Sequence, residues 1–404
     1  MQLLIGVACM SMVANLQYGW TLFVNPIEEK FHWGSAVIQV FFVVFILCET
    51  WFSPILGAFT DRIGPRLVVF FGGILCAVAW CMNALADSIN FFSLAAVVGG
   101  IGAGAVYSAC VGNALRWFPD RRGLAVGITA AGYGAGSALT VIPITNMIAA
   151  KGYQETFLIF GLCQGAVIAI LALFLKGKGR IEVLNEVGVV KNYRSMEMIK
   201  EPAFWVMYLM FVMVGGGGLV ITAQFIDIAK SLNFQGVDVV IFGVTLSLLM
   251  LTLNLNRVLN GLTRPIFGWI SDLIGREKTM FICFNLEALS ILGLYYFGHT
   301  PAFFLLLTGL VFFLWGEIYS LFPSINADTF GDQYAAGNAG LLYTAKGTAS
   351  LLVPLSSILA AATGSWEAVF WGAGILNFLA ALLAWFILRP LRRKLVIRNR
   401  RRNR

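Results

Sequence analysis

The sequence predicts an all-α integral membrane protein with twelve transmembrane helices. Of its 404 residues, 59% are hydrophobic and only 12% are charged, which is about half the charged fraction of an average soluble domain. The mean hydropathy is +0.82. The apolar runs are long and continuous, unlike the alternating segments of about ten residues that build a transmembrane β-barrel. These observations together favour a helical membrane protein.

Twelve apolar runs fall into two groups of six. The first group is predicted at residues 2–25, 36–60, 67–86, 91–117, 124–148 and 156–175, and the second at 203–228, 238–270, 279–298, 302–323, 336–361 and 366–388. The first run has no basic segment before it and is too long for a signal peptide, so it is predicted to be a membrane helix. The predicted organisation is an N-terminal six-helix bundle (1–175), a cytoplasmic linker (176–202), a C-terminal six-helix bundle (203–388) and a basic cytoplasmic tail (389–404).

Lysine and arginine concentrate in alternate loops, whereas the intervening loops, such as "DSIN", "GHTPA" and "TGSWEA", contain neither residue. The positive-inside rule therefore predicts a multi-pass protein of the cell inner (plasma) membrane with both termini in the cytoplasm. The same loops account for the net charge of +8, so no nucleic-acid partner is predicted. The tail "RPLRRKLVIRNRRRNR" is expected to anchor this topology or, alternatively, to bind anionic membrane lipid.

The residue types that ligate metals are few and widely spaced. All seven cysteines lie in apolar runs without CxxC or zinc spacing, and the chain has two histidines and no HExxH motif. No metal, cofactor or catalytic residue is therefore predicted, and the chain is expected not to be an enzyme. It is expected to act as a monomer.

One loop occurs twice, at matching places in the two halves. "GAFTDRIGPR" (57–66) follows the second run, and "GWISDLIGREK" (268–278) follows the eighth. In both loops an aspartate follows a glycine at the fourth position, and a second glycine follows the aspartate at the third position. This sequence resembles the major facilitator superfamily, which implies two six-helix bundles around a cavity that opens alternately to each side of the membrane. The predicted gating residues are Gly57, Asp61, Arg62, Gly268, Asp272 and Arg276.

Five ionisable side chains within the predicted spans are candidate functional groups: Glu49, Arg257, Arg264, Glu317 and Lys346. Counting ~1.5 Å per residue puts Arg264 and Lys346 about 11–12 Å inside their spans, close to the middle of a ~30 Å hydrocarbon core. Two cations at matched depth predict a site for an anion with more than one negative oxygen. The alternative is that these cations form structural ion pairs with Glu49 or Glu317.

The other intramembrane charges have open roles. Arg257 is expected to form an ion pair with an acid. Glu49 and Glu317 are expected to be permanent partners of a cation or, if they face the cavity, to bind a proton. Polar aromatic and amide side chains that surround these charges along the chain are candidate cavity walls: Gln17, Tyr18, Tyr107, Tyr133, Trp315, Tyr319 and Tyr343.

Five stretches resemble the oxalate/formate antiporters: "LQYGWTLFVNP", "RWFPDRRGLAVGITAAGYGAG", "NGLTRPIFGWISDLIGREKT", "WGEIYSLFPS" and "YTAKGTAS". The resemblance implies that Arg264 and Lys346 bind carboxylates within an aromatic cage, at Tyr18, Tyr133, Trp315, Tyr319 and Tyr343 with Gln17 beside them. The sequence departs from that pattern in four places. Tyr343 replaces a tryptophan, Glu317 a small residue and Glu49 an amide, and Arg257 is an added cation. The spacing of Asn260 and Arg264 also resembles the acid-to-arginine pair of monocarboxylate transporters.

The functional prediction is secondary active transport of small carboxylate anions by alternating access, with oxalate/formate antiport as the specific reaction. The alternative is symport of a monocarboxylate such as lactate or pyruvate with a proton. A third class, a sensor that does not transport, is disfavoured because no soluble signalling segment is evident in the sequence.

Overall fold

The structure is a computed structural model that describes residues 1–178, 191–241 and 244–402. Its first half consists of helices joined by short turns, with 3₁₀ turns on both sides of the seventh helix. The helices of this half are α1 (Gln2–Tyr18), α2 (Thr21–Phe31), α3 (Ser35–Trp51), α4 (Ser53–Ile63), α5 (Pro65–Leu85), α6 (Ile89–Trp117), α7 (Arg122–Ala135) and α8 (Val141–Ala172).

The second half contains eleven further helices and one hairpin within the described ranges. In chain order they are α9 (Ser195–Met198), α10 (Pro202–Ala223), α11 (Phe225–Ser231), β1 (Asp238–Ile241), β2 (Val244–Ser247), α12 (Leu248–Ile274), α13 (Arg276–Phe297), α14 (Pro301–Trp315), α15 (Ile318–Phe330), α16 (Ala335–Ser350), α17 (Leu352–Thr363), α18 (Glu367–Leu382) and α19 (Arg389–Arg402). A π-helical turn joins α18 to α19.

The helices account for twelve membrane crossings. Ten segments of the described chain are long and apolar enough to cross a membrane. One of them, Pro119–Ala172, has 54 residues, about 80 Å of helix, and it breaks at Gly152, where φ is 82°, so it supplies two crossings. The helix α12 has 27 residues but falls outside the ten because it contains arginines and asparagines. The predicted all-α fold of two six-helix bundles is confirmed.

Several crossings are broken near their middle. The pairs α1/α2, α3/α4, α14/α15 and α16/α17 each form one crossing with an interruption of one or two residues. At the third break, Gly316 packs against Asn260 and Thr263 of α12, and Glu317 begins α15. Interrupted helices free backbone groups and turn side chains toward the centre of a bundle, which is where transporters of this architecture bind their substrates.

The prediction of the eighth crossing was wrong at its start. A helix was expected from residue 238, but Asp238–Ile241 and Val244–Ser247 form two antiparallel strands in which Asp238 pairs with Ser247 and Ile241 pairs with Val244. The helix α12 begins only at Leu248. A short continuous apolar run rich in β-branched residues fits a strand as well as a buried helix, so hydrophobicity alone cannot separate them.

The two bundles meet along two seams, α7 against α12 and α3/α4 against α16. We call the side of the molecule on which both chain ends lie, with Gln2, Trp117 and Lys176, the terminal face. Gln2 and Trp117 hydrogen bond to the backbone at Phe174 and Lys176 on the terminal face. The exact domain boundaries stay a prediction, because residues 179–190 of the expected linker lie outside the described ranges.

Candidate functional site

Lys346 of α16 lies at the centre of the molecule with all its donors in use. Its side chain is 1% exposed. The ammonium Nζ donates to Glu49 Oε2 at 2.8 Å, to Gln17 Oε1 at 2.8 Å and to the Tyr343 hydroxyl at 2.9 Å. A lysine ammonium has three N–H donors, so these three bonds saturate it. The ion pair with Glu49 joins the two halves of the chain.

Glu49 of α3 is held from two directions. Its Oε1 accepts hydrogen bonds from the hydroxyls of Tyr133 at 2.8 Å and Tyr343 at 3.1 Å. Behind it, α6 approaches so closely that a Cβ at Gly104 would collide with the Glu49 carbonyl oxygen, and one at Gly100 would lie 2.9 Å from the Glu49 amide nitrogen. These glycines set the position of the carboxylate relative to Lys346.

Arg264 of α12 is equally buried but has different partners. Its Nη1 donates to the Ala130 carbonyl at 2.8 Å and its Nη2 to Asn260 Oδ1 at 2.8 Å. Its Nε has no hydrogen-bond partner, and within the described ranges no carboxylate lies at ion-pair distance. Arg264 therefore has an unused N–H donor and no carboxylate partner among the described residues of the interior.

Both central cations lie close to the ring of Tyr319. The Arg264 guanidinium lies 4.5 Å from the centroid of this ring and the Lys346 ammonium 5.8 Å from it. A cation near the face of an aromatic ring is attracted by the ring's quadrupole. The structure thus brings together the two cations that the sequence predicted at matched depth.

The predicted aromatic residues form one continuous wall around these charges. The rings of Tyr107 and Tyr343 stack at 4.2 Å, and Tyr133 contacts Tyr107 at 5.6 Å between centroids. Further ring contacts, at 5.7 to 6.3 Å, complete the wall through the pairs Tyr18–Tyr133, Trp315–Tyr319 and Tyr319–Tyr343. All of these side chains are buried, as are Lys346 and Arg264, so the aromatic wall and the central charges lie together in the interior.

The ion pair expected for Arg257 is not observed among the described residues, and that prediction was wrong. The guanidinium lies over the ring of Tyr18 at 4.4 Å from its centroid, and the side chain is buried. Glu49, the acid expected to be available nearby, is already bound to Lys346. The observed partner of this cation is therefore an aromatic ring and not the expected carboxylate.

Glu317 does not pair with a cation in the described structure. It is fully buried, and its carboxylate oxygens form no hydrogen bonds, although the backbone N–H groups at the start of α15 face them. It interacts electrostatically with Arg264 and with Glu287 of α13, a second fully buried carboxylate that accepts no hydrogen bond. The sequence reasoning missed Glu287, although its place within the predicted ninth span was a sufficient signal.

The first repeated loop ties the terminal face across the two halves. Asp61 accepts hydrogen bonds from the backbone N–H groups of Ala336 at 3.2 Å and Gly337 at 2.8 Å, at the start of α16, and forms an ion pair with Arg116. Acidic groups are favourable at the positive end of a helix dipole. Gly57 packs against Ala336. Arg62, predicted to belong to this gate, is exposed and forms no ion pair with the described residues.

The second repeated loop forms the equivalent contact in the opposite direction. Here the second half supplies the aspartate and the first half supplies the helix. Asp272 accepts from the backbone N–H groups of Gly123 at 3.0 Å and Leu124 at 2.9 Å, at the start of α7. Arg276 pairs with Asp272 at 2.6 Å and with Asp328 at 3.0 Å. Gly268 packs against Gly123. Each half thus supplies an aspartate that caps a helix of the other half.

A further ion-pair cluster between these loops was not predicted. Arg122 bonds Asp328 at 2.6 Å and Asp332 at 2.5 Å. Burial raises the pKa of Asp332 above its ordinary value, although the Arg122 guanidinium faces it. The signal was present in "RWFPDRR" and "NADTFGD", which occupy equivalent places in the two halves. The arginines of the first segment served only to predict orientation, and the aspartates of the second were not used. The terminal face is closed in this structure.

The fold, the paired loops and the buried central charges define a membrane transporter, not an enzyme. The chain belongs to the Major Facilitator Superfamily, whose profile matches residues 3–261 and 240–403. The proton:xylose symporter XylE, solved with 6-bromo-6-deoxy-D-glucose, has the same fold, with a TM-score of 0.71, 14% identity and coverage of 95% of both chains.

Two relatives bear on the resemblance found in the sequence. The chain is 33% identical over 390 residues to an oxalate:formate antiporter of Oxalobacter formigenes. The aligned region covers 96% of this chain and 90% of that protein. The chain is also 31% identical over 116 residues to human monocarboxylate transporter 14. This shorter aligned region covers 28% of this chain and 22% of that protein. The resemblance to the oxalate/formate antiporters is confirmed.

Proposed function

We propose that the protein transports small carboxylate anions by alternating access, and that it exchanges oxalate and formate. The observation that supports this most directly is the central pair of cations, Arg264 and Lys346, which both lie within 6 Å of the centre of the Tyr319 ring. Arg264 has no carboxylate at ion-pair distance among the described residues, whereas Lys346 shares its charge with Glu49. In a dry interior the attraction between such cations and an anion with several oxygens becomes stronger, because little water screens it. The antiporter to which the chain is 33% identical supports the same substrate class.

Arg264 is the proposed primary ligand of the substrate carboxylate. Asn260 and the Ala130 carbonyl hold its two Nη atoms in a fixed plane, and the Nε donor remains unused. A planar guanidinium held in this way can present two parallel N–H bonds to one carboxylate. The surrounding wall of tyrosines, with Trp315 and Gln17, would limit the substrate to a small, flat molecule.

The terminal-face contacts are the proposed gate. Asp61 and Asp272 each bind backbone N–H groups of the opposite half, so the two halves cannot separate on that face without losing both. We propose that the terminal face is cytoplasmic and that the protein lies in the plasma membrane as a monomer. The basic helix α19 would then lie beside the anionic lipid of the inner leaflet.

Counterflow in liposomes tests the proposed function. Purified protein is reconstituted in vesicles loaded with unlabelled formate or oxalate, and uptake of radiolabelled oxalate is followed. The proposal expects oxalate uptake that is faster when the vesicles contain oxalate or formate than when they are empty, and that external formate inhibits by competition. Uptake at the rate of protein-free vesicles, with every combination of oxalate, formate, lactate and pyruvate, would refute it.

Proton-coupled symport of a monocarboxylate is the second candidate. The observation that favours it is the ion pair of Lys346 with Glu49, which leaves Arg264 as the central cation without an acidic partner among the described residues. A singly charged substrate would balance it. This candidate expects lactate or pyruvate uptake driven by an inward proton gradient, and it fails if collapsing the gradient with an ionophore leaves that uptake unchanged.

A further inference from the structure

The contact between Glu49 and Lys346 connects the two halves at the level of the proposed substrate site. Glu49 belongs to α3 in the first half and Lys346 to α16 in the second, and their charged atoms are 2.8 Å apart. In an alternating-access transporter, a bound substrate that contacts both halves allows them to close around it. Here a side chain of the protein itself already makes such a contact.

The carboxylate of Glu49 has the chemistry of the proposed substrate. It is a carboxylate bound to the lysine ammonium and to the hydroxyls of Tyr133 and Tyr343. The three donors of Lys346 are all in use, so a substrate carboxylate can bind Nζ only by displacing one of its acceptors. Glu49 is the acceptor with the matching charge.

The position of Glu49 is built into the packing of the first half. The close approach of α6 at Gly100 and Gly104 fixes the backbone of Glu49. On the other side, Gly347 packs against Thr50 and Trp51, the residues that follow Glu49. Both helices of the pair are therefore held at a distance that favours the bridge.

We propose that Glu49 takes the place of a substrate carboxylate at Lys346 in the unloaded transporter and thereby allows it to change conformation without substrate. This inference rests on the proposed carboxylate transport. Two central cations without a counter-ion would repel each other and would be costly to bury, which would restrict a carrier to strict exchange. With Glu49 present, one of these charges is balanced by the protein, so net transport accompanies exchange.

Efflux from liposomes separates the two modes. Vesicles are loaded with radiolabelled formate or oxalate, the membrane potential is clamped with potassium and valinomycin, and the vesicles are diluted into medium without carboxylate (net efflux) or with unlabelled carboxylate (exchange). We expect the wild-type protein to show net efflux well above that of protein-free vesicles. Robust exchange with net efflux at the background rate would overturn the inference while leaving the proposed function intact.

The substitution Glu49→Gln keeps the shape and removes the charge. We expect it to lower net efflux by at least about tenfold relative to exchange, because an unbalanced buried lysine is costly, whereas Glu49→Asp should retain both modes. An unchanged ratio in Glu49→Gln would contradict the inference, and so would loss of both modes in a correctly folded variant. The matched control is Glu287→Gln, a buried carboxylate outside the central site, which should leave the ratio unchanged.

The arms of the experiment also distinguish the two proposals. If no carboxylate exchanges in any arm, the proposed function fails and the inference fails with it. If exchange occurs, only the ratio of net efflux to exchange decides the role of Glu49. The wild-type measurement needs no substitution, so the inference remains testable even if Glu49→Gln does not fold.

Discussion

The two sides of the central site differ in how completely the protein satisfies its own polar groups. On the Lys346 side, the charged groups are fully paired, because the ammonium, Glu49 and Tyr343 form a closed network of ionic and hydrogen bonds; only the uncharged Gln17 Nε2 and the Tyr107 hydroxyl nearby have no partner among the described residues. On the Arg264 side, the guanidinium Nε, both oxygens of Glu317 and the Tyr319 hydroxyl have no partner among the described residues. Unpaired polar groups in an apolar interior are costly. The comparison indicates that the Lys346 side is organised by the protein, whereas the Arg264 side has the unused capacity that suits a substrate.

Removing Lys346 from the closed side should have the largest effect on the stability of the protein. Lys346→Gln leaves Glu49 without a cation, and removing one partner of a buried ion pair costs about 3–5 kcal/mol of the free energy of unfolding. The double variant Glu49→Gln with Lys346→Gln should recover most of that loss. SDS titration in mixed micelles, followed by tryptophan fluorescence, measures all three variants.

An exposed pair provides the control for this double-mutant cycle. Lys151 and Glu155 are also 2.8 Å apart but are about half exposed, and such pairs contribute less than about 1 kcal/mol. A coupling energy between Glu49 and Lys346 as small as this control would contradict the view that the closed side is a structural bridge.

Removing the cation of the open side should abolish function with less effect on stability. Arg264→Gln is expected to lower carboxylate exchange by at least about 100-fold, because the substrate would lose a buried charge-assisted ligand. Exchange in liposomes measures this loss. Arg257→Gln is the matched control, since Arg257 is buried against Tyr18, and its effect should be clearly smaller. Equal losses in the two variants would mean that Arg264 has no special role.

Displacing the support behind Glu49 should have an intermediate effect. Gly104→Ala puts a methyl group against the Glu49 carbonyl oxygen, and overpacking of this kind costs about 1–3 kcal/mol. The free energy of unfolding should fall by that amount. Gly372→Ala, where a Cβ would meet no atom within 4 Å, should be neutral or slightly stabilising. A stable Gly104→Ala protein would show that α3 can shift to make room.

Removing a carboxylate from the open side should have the smallest effect on stability. Glu317→Gln replaces a buried carboxyl group whose oxygens have no hydrogen-bond partner in the described structure, so the free energy of unfolding should change by less than about 1 kcal/mol or should increase. The same unfolding titration checks it beside Glu49→Gln. A loss as large as that of Glu49→Gln would remove the distinction between the two carboxylates.

The sequence predicted more of the proposed gate than of the ion pairs within it. The spacing of glycine and aspartate in the two loops identified Asp61 and Asp272, because a repeated spacing survives without any knowledge of the fold. It did not identify Arg116 as the partner of Asp61, nor the cluster of Arg122 with Asp328 and Asp332. These partners are far apart along the chain, and no local pattern relates them.

For the charges in the interior, too, the sequence predicted positions but not partners. Hydropathy revealed that Arg264 and Lys346 lie inside the membrane, because a charge in an apolar run is visible in any window of sequence. The partner of each charge depended on helix packing. Arg257 lies over the ring of Tyr18, where an acid was expected. A hairpin precedes α12 where a helix was expected, and hydropathy could not predict it because β-branched apolar residues fit either structure.

By itself the sequence determined the class of the protein, its twelve crossings, the two related loops and the depth of its central cations, because each of these follows from composition, period or counting along one helix. Only the tertiary structure decided that Glu49 neutralises Lys346 while Arg264 keeps an unused donor. That choice depends on the distance between α3 and α16, which close packing at Gly104 and Gly347 sets. Such distances between helices of different halves arise only when the chain is folded.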